Sequence, residues 1–385
     1  MKNQKKEKST LKKICIFILI AFVVVIVVAR YTTDEEYRNF IDTKIFKKQV
    51  SETNLTTIEI NSDDNPSIYA YDKYIGVLSK NVLKEYDTAG KVAAELEVNI
   101  AVPLVETNGK YMVLAEKDGQ KIYLISGENI LWSNTVEGNI SRVNVNQNGY
   151  VSIVITNTIY KSVVVYYEPS GKELFRTYLS DSYAVCTSIS TNNKYLAIGE
   201  VNYTGTIIKS YVKVISIELA QKDPEEAMIY TYESESGEII TAINYQNKEN
   251  AICMFSTYVQ SIGVDSNERI YDIKNNDLFL DINLRNGIAI IEKQSSGLFS
   301  FEYQAIIKSV DTKAESLYVL NNDLPKTLNI CGNNMALNLG NEVQIVNSSG
   351  WLVKKYTSSK EIKELIIGDS IAGIIYKNRI EIINL

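Results

Sequence analysis

Any chemistry in this chain must be done without histidine, because its 385 residues contain none. That removes imidazole acid–base catalysis, Ser-His or Cys-His nucleophiles and histidine-ligated metal sites. The four cysteines do not replace it. Cys15 falls in an apolar run, and Cys186, Cys253 and Cys331 are far apart, so no CxxC pair exists for a metal knuckle or a redox motif. Each of the last three sits in an apolar, strand-like stretch, where a buried free thiol is expected. No P-loop, dinucleotide glycine motif or nucleophile elbow is present. Asp63-Asp64 lacks the ligand spacing of a calcium loop and reads as a solvated turn. Carboxylate chemistry survives, since two acids facing one another suffice for glycoside hydrolysis, but linear order singles out no pair. No catalytic, cofactor-binding or metal residue is therefore assigned, no cofactor is implied, and the expectation is a non-enzyme. The 26 tyrosines against 9 phenylalanines suit half-buried strands and also surfaces that stack on sugars or proteins. Asn-x-Ser/Thr matches at Asn54, Asn139, Asn202 and Asn347 bear on glycosylation only in a eukaryotic secretory route.

The elements that would hold a site begin with a membrane-like end. Residues 1–13 carry six lysines (Lys2, Lys5, Lys6, Lys8, Lys12, Lys13) and one acid, Glu7. An unbroken apolar run follows from Ile14 to Ala29 and stops at Arg30-Tyr31. Sixteen helical residues span about 24 Å, and snorkelling lysines with an interfacial tyrosine make up the rest of a bilayer core. Residues 14–30 are read as a transmembrane helix and residues 1–13 as a cytoplasmic tail, which puts everything later outside the cell membrane. A cleaved signal is the alternative, since Val27-Val28-Ala29 loosely satisfies the small-residue rule. The branched valines before that point and Arg30 after it weigh against cleavage. Residues 1–30 have a net charge of +6 against −6 for the whole chain, which leaves −12 for the remainder. An acidic domain of this kind is repelled by nucleic acid and anionic lipid, so no nucleic-acid partner is expected.

Residues 31–55 read as a juxtamembrane stalk. Thr33-Asp34-Glu35-Glu36 resembles a capping box, and Tyr37, Phe40, Ile41 and Ile45 continue at helical spacing to about Lys48. From residue 56 to 385 the pattern changes to short β-branched or alternating runs between Asn, Gly, Asp and Ser turns, with no helical pattern. One small polar pair recurs between two such runs: Asp72-Lys73, Asn108-Gly109, Asn148-Gly149, Asn192-Asn193, Asn247-Lys248, Asn286-Gly287, Asn333-Asn334 and Gly368-Asp369. These markers are 35 to 55 residues apart, with a mean near 42. A second turn follows several of them, at residues 88–91, 126–128, 169–172 and 348–351. Two hairpins per 42 residues make four strands per unit, the period of a propeller blade. The fold class expected is all-β: a β-propeller of about eight, alternatively seven, four-stranded blades. Tandem sandwiches and a β-solenoid fit the spacing less well. The last unit supplies only three strands, so the run Thr57-Ile58-Glu59-Ile60 is expected to complete it and close the ring. The longest unit carries an insertion at 220–227.

The turn sequences Tyr86-Asp87-Thr88-Ala89-Gly90-Lys91, Tyr167-Glu168-Pro169-Ser170-Gly171-Lys172 and Val346-Asn347-Ser348-Ser349-Gly350-Trp351 resemble the repeats of WD40-like and quinoprotein-like propellers. The lysine-rich start, single span, stalk and Ile-, Asn- and Tyr-rich repeats together resemble a family of clostridial proteins without an assigned activity, the DUF5711 family. That resemblance implies a propeller scaffold and carries over no functional residues. With only Trp132 and Trp351, and no adjacent cysteines, the chain lacks what quinone-dependent dehydrogenases would bring. The function expected is a membrane-anchored extracytoplasmic propeller that binds or scaffolds an envelope protein or a glycan. The alternatives are a carbohydrate-active enzyme with a carboxylate pair in the propeller funnel, and a sensory ectodomain working through a partner.

Overall fold

A computed structural model describes residues 2–34, 37–38, 41–46, 48–50, 55–224, 226–295, 301–321 and 323–385. The chain divides into two units, Met1–Ser51 and Glu52–Leu385. In the first, one α-helix runs Lys2–Thr33, longer at both ends than the apolar run alone. Its segment Ile16–Thr33 is long and apolar enough to cross a membrane, and large side chains from Ile16 to Val28 are exposed along it.

The start of the stalk differs from expectation. Thr33 is the last residue of the long helix and not the cap of a new one. Its hydroxyl donates back to Ala29 O at 2.8 Å, satisfying a helix-end carbonyl locally. Asp34 takes over the capping, accepting the Tyr37 N–H at 3.0 Å. The later turn, Ile41–Ile45, is π-helical. Asp42 is buried there, accepting the Tyr31 hydroxyl at 2.5 Å and pairing with Lys48 at 2.8 Å. Residues 35, 36, 39, 40 and 47 lie outside the described residues.

From Thr56 onward the described residues form eight antiparallel sheets of four strands. Blades one to seven span 67–97, 103–135, 139–179, 183–233, 240–272, 277–321 and 327–357; blade eight joins 364–384 to Thr56–Glu59. The first strand of each is innermost. Inner strands of neighbouring blades touch around most of the ring, apolar clusters join blade five to six and six to seven, and Ser67–Tyr71 meets both Pro103–Asn108 and Glu364–Ile367, so the ring is closed. All eight polar markers fall at the junctions of first and second strands, and the four second turns at those of third and fourth strands. Eight blades, not seven, follow directly.

Burial tracks radial position. Ser162–Tyr167 and Ile371–Ile375, middle strands, are buried along their whole length, because a blade between two neighbours is covered on both faces. Outer strands such as Val92–Glu97 and Met228–Glu233 alternate with solvent. Each seam is an apolar cluster; Val113, Ile122 and Leu124 of blade two meet Ile153 and Val165 of blade three. The closing seam is built the same way, with Ile58, Ile371, Ile380 and Ile382 against Ala70, Ile75 and Val77. Thr56–Glu59 pairs antiparallel with Ile382–Arg379 as the outer strand of blade eight, one residue earlier than the expected run.

The insertion in blade four is a short helix, Ile217–Lys222, contrary to the expectation of strands and loops alone. Ser216 accepts the Leu219 N–H at its start, and Ile217 and Ala220 pack with Phe175 and Leu179 of blade three. Six residues are too few to show a helical period in sequence.

One turn gives a direct stability test. Gly171 has φ +87°, and a Cβ there would lie 2.6 Å from Trp132 Cγ; Gly109 has φ +55° with nothing within 4 Å. Gly171→Ala is expected to cost about 3 kcal/mol, combining left-handed strain with displacement of the ring. Gly109→Ala should cost only about 1 kcal/mol, from strain alone. Urea unfolding of the two variants measures the difference.

Candidate functional site

The inner strands all end on one face, and their ends and following turns surround a cavity of about 250 Å³ on the propeller axis. Residues from blades two to eight line it, among them Glu106, Asn144, Gln246, Arg285, Cys331 and Asp369.

Amide side chains fix the spacing of this mouth. Asn146 Nδ2 donates to Ser190 O at 3.2 Å and Asn193 Oδ1 at 2.6 Å, and Asn148 Nδ2 to Thr191 O at 3.0 Å, tying blade three to blade four. Asn244 Nδ2 donates to Ile282 O at 3.1 Å, and Gln246 Nε2 to Ile282 O at 2.7 Å and Gly287 O at 2.6 Å, tying five to six. Asn329 Nδ2 reaches Leu365 O at 2.9 Å, tying seven to eight. Such bonds replace flexible polar groups by fixed ones. The Oε1 of Gln246 is buried without a donor.

Two carboxylates lie toward the ends of inner strands on opposite blades. Glu106 lies two residues before the end of the inner strand of blade two and lines the cavity. Asp281 ends the inner strand of blade six, the blade opposite in a ring of eight, two residues before cavity-lining Asn283. Glu106 is exposed to the cavity and enclosed only by the blades around it. That enclosure, with the Asp281 charge second, pushes its carboxyl up to about 7. Burial raises Asp281 as well, against the Asn283 N–H that donates to its Oδ1 at 2.7 Å.

A second group holds Arg285, Cys331 and Asp369. Burial, then the Asp369 charge, pushes the Cys331 thiol up to about 12, with Arg285 pulling the other way. A thiol in that range is protonated at neutral pH and a poor nucleophile. Asp369 is raised by burial and by Asp72, and lowered by Arg285. Cys186 and Cys253 lie in the interblade core as free thiols and are not part of the mouth lining.

Asp63 and Asp64 form a 3-10 turn before the inner strand of blade one, on the face away from the mouth; Asn61 caps it and Lys80 pairs with Asp64 at 2.6 Å. Tyrosine stacks also occupy that other face. Tyr183 and Tyr203 stack at 5.2 Å with Lys161 over both rings, near the hairpin tip carrying Ile159, 94 % exposed. Among the described residues no group of three or more Cys, Asp or Glu is placed to hold a metal. Glu106 and Asp281 went unassigned in sequence. Their signal was a position two and five residues before the hairpin markers Asn108 and Asn286, and it becomes meaningful only once those markers are known to end inner strands.

Residues 45–385 match the sequence profile of DUF5711, a family of unknown function. The chain belongs to the DUF5711 family. No curated protein matches it by sequence. Among solved structures, this DUF5711 propeller is similar to Chaetomium thermophilum Sqt1 bound to the N-terminus of ribosomal protein L10, with 9% identity, TM-score 0.53 and coverage of 86% of this chain and 100% of that one. It is similar to a eukaryotic initiation factor, with 11% identity, TM-score 0.50 and coverage of 83% and 85%. BamB from Moraxella catarrhalis gives 10% identity, TM-score 0.49 and coverage of 86% and 96%. At these identities the likeness is one of fold.

Proposed function

We propose that this DUF5711 protein is a membrane-tethered, extracytoplasmic binding module that docks a protein of the cell envelope on its axial mouth, without catalysing a reaction. The observation that carries this is the fixed polar ring: inner-strand ends from neighbouring blades, held by Asn146, Asn148, Asn244 and Gln246, present a site whose geometry is set before a partner arrives. Pre-organisation lowers the entropy cost of association. A propeller of the same fold, Sqt1, was solved holding the N-terminus of another protein. Tethering rests on the apolar segment Ile16–Thr33 behind a lysine-rich start, which favours a cytoplasmic N-terminus. The remainder's charge of −12 argues against nucleic acid as the partner.

The test is crosslinking of the tagged full chain in intact cells, followed by purification and identification of attached proteins, with external protease added to a parallel sample. Enrichment of an envelope protein over a control membrane protein, with the propeller cleaved from outside, is the expected result. A propeller protected from protease, or no enrichment, contradicts the proposal.

One observation favours a second reading, a carboxylate-pair glycoside hydrolase: Glu106, held at about 7, has a second acid across the mouth. Release of reducing sugar from a glycan panel, lost in both Glu106→Gln and Asp281→Asn, would establish it. Inactivity of the parent chain on the panel would remove it.

A further inference from the structure

The seam between blades five and six opens, beside the axial mouth, into a cleft of about 320 Å³. That is within the range of about 300–1,000 Å³ usual for small-molecule sites. Strand alternation delivers its side chains. Val259, Ile270 and Ile306 pack in the seam. Ser261, Glu268 and Lys308, each two residues away on the same three strands, carry that face out to the cleft. Turns of both blades complete the walls, with Asn247 and Asn250 on one side and Val310 and Lys313 on the other.

Ser261 is 6 % exposed. Its hydroxyl has no hydrogen-bond partner among the described residues, and it lines the cleft. Buried hydroxyls are normally satisfied, and one left without a partner costs stability. The amides beside it are positioned but not used up. Asn247 Oδ1 accepts the N–H of Glu249 at 3.0 Å and of Asn250 at 2.8 Å. The Nδ2 groups of both asparagines donate to nothing among the described residues. The Asn250 amide lies against Gly263, where an added Cβ would collide with its Oδ1, so glycine makes the room it occupies. The charges cancel in pairs: Lys313 with Glu268, and Lys308 with Glu315 at 3.0 Å. Arg269 turns its guanidinium over the Tyr258 ring and pairs with Glu235. Asp311 remains on the lining, and the −12 of the residues beyond Arg30 repels anions.

We infer that this cleft binds a neutral saccharide unit. A sugar hydroxyl both donates and accepts. One ring can therefore take hydrogen bonds from Ser261 and the two amides, give its own to Glu268 or Asp311, and set its C–H face on Ile270 and Val310. A carboxylate or phosphate would take the same donors but meets no net positive charge. The cleft shares no lining residue with the axial mouth, so this inference is independent of the docking role proposed above.

Saturation-transfer NMR of the purified full chain tests this with the methyl glycosides and homodisaccharides of glucose, galactose, mannose and N-acetylglucosamine. Glucose 6-phosphate and glucuronic acid serve as charged counterparts. At least one neutral saccharide is expected to receive saturation and to bind about tenfold more tightly than either charged counterpart. Ser261→Ala is expected to weaken that binding about tenfold, the scale of one hydrogen bond. It should melt no lower than the parent, because the group it removes has no partner in the fold. Gly263→Ala, which displaces the Asn250 amide, should weaken binding as well, and it remains as a test if Ser261→Ala does not melt cooperatively. Asp181→Asn, exposed on the far face, should leave binding unchanged. Saturation of no neutral saccharide, or unchanged binding in both cleft variants, overturns the inference. Tighter binding of a charged counterpart would assign the cleft to anions and overturn it too. A Ser261→Ala protein that binds like the parent but melts well below it would give the hydroxyl to the fold, with the same consequence.

Discussion

The Ile58→Asp variant is expected to unfold about 5 kcal/mol more easily than the parent chain and to self-associate. Ile58 is 3 % exposed, pairs with Ile380 and sits in the seam between blades eight and one. Losing an isoleucine side chain from such a place removes about 2–3 kcal/mol of burial. An unpaired carboxylate in its place adds several more, unless the strand peels away. Peeling does not rescue the fold. It leaves Arg379–Asn384 as an unpaired edge and uncovers Ile380 and Ile382, the kind of strand that recruits a second chain. Urea unfolding with light scattering reads both effects. Glu59→Gln, one position on and exposed, should stay within about 0.5 kcal/mol of the parent. A monomeric Ile58→Asp protein of parent stability would mean that the ring closes without this strand.

Replacing Glu85 by glutamine is expected to remove much of the stability loss that the chain shows between about pH 4.5 and about pH 7. Glu85 is fully buried in blade one, its Oε1 accepting the Tyr71 hydroxyl at 3.0 Å and its Oε2 without a partner. Burial pushes its carboxyl from 4.5 up to about 7, and the Tyr71 bond only partly offsets this. Between those two values the folded chain holds a proton that the unfolded chain has released. Stability therefore falls as pH rises from about 4.5 to about 7, by roughly 3 kcal/mol in all, and changes little further above that. Glu85→Gln keeps the shape and removes the titration. It should exceed the parent by about 2 kcal/mol at pH 8 and match it within about 1 kcal/mol at pH 4.5. The residual slope in the variant is of the same sign and belongs to Glu106 and Asp281, whose carboxyls are also raised. An equal stability difference at both pH values would contradict neutral burial of Glu85.

Much of this architecture was legible because turn chemistry is local. Asp72, Gly109, Gly149, Asn193 and Asn286 adopt the positive φ that their residue types favour, so their spacing alone exposed the four-strand repeat. Asp87 and Asn347 each accept two backbone N–H groups across the tighter turn, which explains why an acid or asparagine precedes each glycine. The closing strand was legible for a different reason: three strands at one end and a spare one at the other leave a single way to finish a ring. The start of the stalk differs from the sequence pattern because Thr33 satisfies helix-end carbonyls as readily as it caps a new helix. The helix Ile217–Lys222 owes its stability to packing on blade three, which no window of its own sequence reveals. The mouth was illegible for the deepest reason. Glu106 and Asp281 are 175 positions apart and are ordinary acids in ordinary strands; only the closing of eight blades sets them across one axis.

The central claim is that the axial mouth, and no other part of the propeller surface, receives the partner. Photoreactive residues placed singly at Asn283 in the mouth, Ile159 on the far face and Leu131 on an outer strand, followed by irradiation of intact cells, test it position by position. A discrete protein adduct at Asn283, absent at Ile159 and Leu131, is the result predicted. Adducts at Ile159 or Leu131 with none at Asn283 would place the contact surface elsewhere and contradict the account.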